Sequence, residues 1–161
     1  MVFEILYLSD LACFFECLNT TTRTSILTAL DMLDVSIDTN RNLLTQMLHT
    51  LKSLRNAVAH YNIVFDTRFK DRDVSNVLKR WLEKETGINN ITLYSLIDYV
   101  ILMCCILKRI DFSNTRAKKI LEKYENENTL LQSGVTSAIY SQIVSSSVAT
   151  KISGLKAYLE K

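Results

Sequence analysis

The chain contains no proline, where average usage would put roughly eight in 161 residues. It holds only three glycines, Gly87, Gly134 and Gly154. These two residue types punctuate strands, tight turns and barrels, so their near absence argues against β architecture. Leu, Ile, Lys and Glu are abundant instead. The expectation is an all-α bundle of about six to eight long helices with few breaks.

Hydrophobic residues make up 48% and charged residues 22%, an ordinary globular balance that disfavours disorder. The length suits a single domain, residues 1–161, able to bury a core without staples. A net charge of +2 neither announces nor excludes a nucleic-acid binder; a local basic patch would matter more. The four cysteines form no C-x-x-C pair, and His49 and His60 lie far from them in sequence. No metal site and no cofactor are expected, and Cys104 and Cys105 read as small buried hydrophobes of a reduced, cytoplasmic protein. The most apolar run, Val100 to Leu107, is far short of a membrane span.

Along the chain, Val2 to Leu18 is apolar over most of its surface and asks for burial on all sides. It starts with no cap or leader, which suggests that residues once preceding it are missing. A short amphipathic helix capped by Thr20 to Thr22 follows, then a loop over Asp34 to Asn40. A helix over Arg41 to Tyr61 has Leu44, Met47, Leu48, Leu51, Leu54 and Val58 as its core face. Asn62 to Asn76 read as a charged connection. Further helices are expected over Val74 to Glu85, stopped by Gly87, over Thr92 to Arg109, over Asn114 to Asn126 and over Thr136 to Ser147. Ile139, Ile143 and Val144 should point inward from the last of these. Ile152 to Leu159 reads as a weak, fraying end.

The stretch Leu54-Arg55-Asn56-Ala57-Val58-Ala59-His60 carries the chemistry. At about 100° per residue, Thr45, His49, Asn56 and His60 fall within a sector of roughly 60°, and Asn56 and His60 sit one turn apart. Arg55 lies about 140° round from His60, within the apolar stripe, so its side chain must wrap toward His60 or reach a partner. Cleaving RNA without a metal needs a base for the ribose 2′-OH, a cation for the charge on the phosphorane and an acid for the leaving 5′-oxygen. Histidine can be base or acid near neutral pH, and arginine matches phosphate bidentately. One helix supplies one of each; two such helices about a two-fold axis double the set.

R-N-x-x-x-H on a helix of an all-α chain resembles the R-x(4–6)-H signature of HEPN ribonucleases. With MVFEILYLSDLACFFECL, LRNAVAHYNIVFDTRF and SGVTSAIYSQI in order, the chain is similar to the abortive-infection (Abi) branch, AbiD/AbiF type. The resemblance implies a HEPN-like bundle and a phage-defence or toxin-like RNase that cuts RNA without metal as a homodimer. As a toxin it would have an RNA or protein antitoxin as a further partner, and no membrane. Arg55 and His60 carry over as catalytic and Asn56 as supporting. Relatives usually have a substantial region before the first matched stretch, which this chain lacks. Related toxins have a tyrosine two places after the histidine; here that place is Asn62 and the tyrosine is Tyr61.

His49, Tyr61, Arg68, Lys70 and Arg72 are candidate RNA contacts. Asp66, Asp71 and Asp73 interleave with the last three, which favours a solvated mixed-charge loop. Lys118, Lys119 and Lys123 read as a solvated face; Trp81, Tyr94 and Tyr99 read as core. Asp10 and Asp98 interrupt apolar helices, either to pair helices or to orient Arg55. The alternative to an RNase is a non-catalytic helical module that binds RNA or protein, or a dimerisation domain.

Overall fold

The computed structural model describes residues 8–59, 75–110 and 114–161. Among them the chain forms eight helices and no strand, so the fold is an all-α bundle. The helices are α1 (Leu8–Cys17), α2 (Thr20–Ala29), α3 (Leu43–Ala59), α4 (Asn76–Thr86), α5 (Leu96–Ile110), α6 (Thr115–Gly134), α7 (Ser137–Ile143) and α8 (Val148–Glu160). No helix among the described residues is long and apolar enough to cross a membrane.

Polar residues set the helix ends. The Asn19 carboxamide, rather than the threonines after it, accepts from the Thr22 N–H and caps α2. Asp38, buried in the preceding loop, accepts from the N–H groups of Asn42 and Leu43 and so starts α3. Ser75 caps α4 through the Val77 N–H. Gly87 stops that helix as expected, in a left-handed conformation (φ 73°) with its N–H on the Glu83 carbonyl.

The core gathers around α5, which buries Ile97, Asp98, Tyr99, Val100, Ile101, Leu102, Cys104 and Cys105. It packs on α3, α4, α6 and α8. The thiols of both cysteines are raised by burial, Cys104 to about 12. Trp81 and Tyr99 are buried as anticipated, and Lys118, Lys119 and Lys123 are exposed.

Several expectations change. The C-terminal segment does not fray: α8 buries Val148, Lys151, Leu155, Tyr158 and Leu159 against the centre. A glycine in α8 makes this possible, because a Cβ on Gly154 would stand 2.8 Å from Ile88 Cγ1. Ile139 is 47% exposed rather than inward, because seven-residue α7 buries no residue and packs on α6 alone among the helices with substantial contacts.

At the other end, the described part of the first segment is not buried all round. Only Ala12 of α1 is fully buried, and Phe14 is 43% exposed. The Arg23 side chain explains how α1 sits. It donates to the carbonyls of Glu16 (2.7 Å) and Leu18 (2.8 Å) and to the Asn42 carboxamide. That ties the end of α1 to the start of α3, so the closely packed pair runs antiparallel. One side of α1 covers α3 and the other faces outward.

Candidate functional site

The described part of the motif occupies the last turns of α3. The buried line of this helix is Leu43, Met47, Thr50 and Ala57, with steps of four, three and seven that keep to one helical side. Leu44, Leu48, Leu51 and Leu54 flank it half-buried. Two members of the expected faces stand elsewhere. Thr45, expected on the polar side, is buried and lines a small hollow with Phe15 and Leu44, because α1 covers it. Val58, expected in the core, is 58% exposed, and Ala59 beside it is exposed as well. The cover over Leu43 and Met47 does not extend across this side of the final turn.

Arg55 follows from the same geometry. It falls in the angular range of the apolar stripe but is exposed, on the side of the helix where Val58 is exposed too, while Leu54 and Ala57 still meet the core. Its guanidinium Nη1 donates to Asn56 Oδ1 at 3.2 Å. Neighbours on a helix diverge by about 100°, so the arginine has to bend around the helix to reach the carboxamide. The long side chain thus brings its charge onto the Asn56 face. The Asn56 oxygen is spent on the arginine, which leaves its NH2 group to donate elsewhere.

His49 shares that azimuth two turns earlier, but its Nε2 lies 3.0 Å from Glu16 Oε1 of α1. This bond pins α1 to α3. His60, Tyr61, Arg68, Lys70 and Arg72 lie outside the described residues, as does most of the expected connection over 62–76.

Asp98 does not orient Arg55. Its Oδ1 meets Lys151 Nζ of α8 at 2.5 Å, and its Oδ2 accepts from Thr92 N–H, Thr92 hydroxyl and Leu93 N–H. Of the two roles left open for it, pairing helices is the one it has. Lys151 went unnoticed because a lone lysine in a weakly apolar segment reads as a solvated residue. Tyr94 departs from expectation in the opposite sense: it is 43% exposed, with Lys79 Nζ 5.6 Å from its ring centre.

A family model described as Abi-like protein matches residues 1–66. The likeness to the Abi-like family is thus one of the first 66 of 161 residues. The Abi-like stretch contains α1, α2 and α3, with Arg55 and Asn56, and its sequence includes His60, while α4 to α8 lie beyond it. The chain matches no curated protein and no solved structure.

Proposed function

We propose that this chain is a metal-independent endoribonuclease of the HEPN type, acting in the cytoplasm in abortive infection or as a toxin. Its likeness to the Abi-like family over residues 1–66 suggests the abortive-infection role. The observation that carries the catalytic reading is the Arg55–Asn56 contact: an exposed guanidinium bent onto a carboxamide in the last turns of α3. An arginine serving the core would be buried and paired; this one is presented outward on the face that leads to His60.

In this reading two copies pack about a two-fold axis through the ends of α3, and exposed Val58 supplies apolar contact beside the polar groups. One His60 takes the proton of the ribose 2′-OH. The 2′-oxygen attacks the adjacent phosphorus in line, and the bond to the 5′-oxygen breaks. The second copy's His60 protonates that leaving oxygen, giving a 2′,3′-cyclic phosphate and a 5′-hydroxyl. Arg55 holds the phosphate and offsets the charge that grows on it, while Asn56 fixes the arginine.

The test is cleavage of a mixed RNA in EDTA by wild type, His60→Ala and Arg55→Ala. Wild type should yield cyclic-phosphate ends and both variants should lose activity while remaining folded. Activity abolished by EDTA, or retained in His60→Ala, overturns the proposal.

A further inference from the structure

The loop between α4 and α5 is tied by side-chain hydrogen bonds around one exposed ring. Gly87, Asn90 and Leu93 all have positive φ (73°, 61° and 61°), a conformation that side-chain-bearing residues rarely adopt. Five backbone N–H groups in the loop are each donated to a side chain. Ile88 donates to the Thr86 hydroxyl, Ile91 to the Glu83 carboxylate at 3.0 Å, Thr92 and Leu93 to Asp98 and Tyr94 to the Thr92 hydroxyl. Asp98 is itself held by buried Lys151. The left-handed turn sends Leu93 fully inward and leaves Tyr94 outside.

The exposed residues just before the ring in sequence are polar. Between residues 75 and 109 Tyr94 is the one exposed large apolar side chain among the described residues. Asn89, Asn90, Thr92 and Arg80 are exposed nearby in sequence, and Lys79 stands over the ring. A protein interface would surround an aromatic anchor with further apolar contact. A single fixed ring beside a cation, with amides around it, suits a flat ligand carrying a negative charge.

We infer that Tyr94 and Lys79 form a stacking subsite for one nucleotide of single-stranded RNA, the base against the Tyr94 ring and the phosphate on Lys79. This subsite rests on the reading of RNA as the ligand, and it adds a place where the strand is held apart from Arg55. A rigid loop favours such a role, because little freedom is lost when the base docks.

The experiment measures binding of a fluorescein-labelled, 2′-O-methylated mixed-sequence RNA by anisotropy. Methylation removes the attacking hydroxyl, so binding is read without cleavage. Tyr94→Leu should weaken binding about tenfold and Tyr94→Phe should bind like wild type, because stacking needs the ring and not the hydroxyl. Lys79→Ala should lower the slope of log affinity against log salt by about 0.7, one phosphate contact on a single strand. Equal binding by wild type and Tyr94→Leu overturns the subsite, as does equal loss in Tyr94→Phe or no RNA binding by wild type. If Tyr94→Leu alters sedimentation but not RNA binding, the ring is a protein contact and the inference falls. Tyr94-dependent binding without cleavage of ordinary RNA would overturn the nuclease reading alone; cleavage and binding indifferent to Tyr94 would overturn the subsite alone.

Discussion

The Lys151 ammonium donates to the Asp98 carboxylate at 2.5 Å, with the two side chains 6% and 0% exposed, and so joins α8 to α5. Because the second carboxylate oxygen already serves three donors of the preceding turn, Asp98 cannot leave its place when the lysine is removed. Lys151→Ala should therefore destabilise the fold by about 3–5 kcal/mol in urea unfolding. Adding Asp98→Asn, which removes the stranded charge and keeps an acceptor for the turn, should recover part of the loss.

Arg55 separates stability from activity. It is exposed, so Arg55→Ala should change unfolding free energy by no more than about 0.5 kcal/mol. If the nuclease reading holds, the same variant loses RNA cleavage. Arg55→Lys should restore little of it, because an ammonium can neither match a phosphate bidentately nor keep the reach to Asn56.

Asp34 offers a test at acid pH. The Lys84 ammonium at 2.5 Å and the Ser36 hydroxyl hold its carboxyl down at about 2, against an ordinary 3.8. A group depressed on folding stabilises the native state above its unfolded pKa, and the contribution fades as pH falls from about 4 to about 2. Asp34→Asn should flatten the stability profile in that window and leave it unchanged in shape near neutrality. An NMR titration of wild type should place the Asp34 midpoint near 2.

Gly154 and Ile88 should behave as a coupled pair. Alanine favours a helix over glycine by about 1 kcal/mol, but a Cβ 2.8 Å from buried Ile88 Cγ1 costs about 1–3 kcal/mol of overpacking. Gly154→Ala alone should thus lower the melting temperature. In an Ile88→Ala background the same change should be neutral or stabilising, a non-additivity that thermal melts of the four proteins would read.

Thiol labelling should split the four cysteines evenly. Cys13 and Cys17 are exposed on α1 and should react in the native state. Cys104 and Cys105 are buried with raised pKa values and should react only on unfolding. Mass spectrometry after a short pulse of reagent should find two labels.

Much of the helical layout was legible because it rests on local signals. The absence of proline, the Gly87 stop and the apolar run of α5 all act within one or two turns. The placing of Asn56 beside the Arg55 charge was half legible: periodicity supplied the azimuths, and the bend of the arginine needed coordinates. What failed was everything set by distant chain. Nothing near Lys151 announces Asp98, so α8 looked too weak to be central. Nothing within α3 says where its cover ends, so Val58 was assigned to the wrong side of that boundary. Tyr94 looked like core because its outward turn depends on a carboxylate four residues on and on the left-handed backbone at Leu93.

The bundle is unevenly anchored. α1 buries one side chain fully, α5 eight. Amide protection should follow that gradient: the outer side of α1, and α7, which buries no residue, should exchange before the centre around α5. The stretch shared with the Abi-like family therefore holds one thinly buried element of the fold, α1, while the other, α7, lies outside it. A protease in trace amounts should nick near α1 or α7 before it cuts α5.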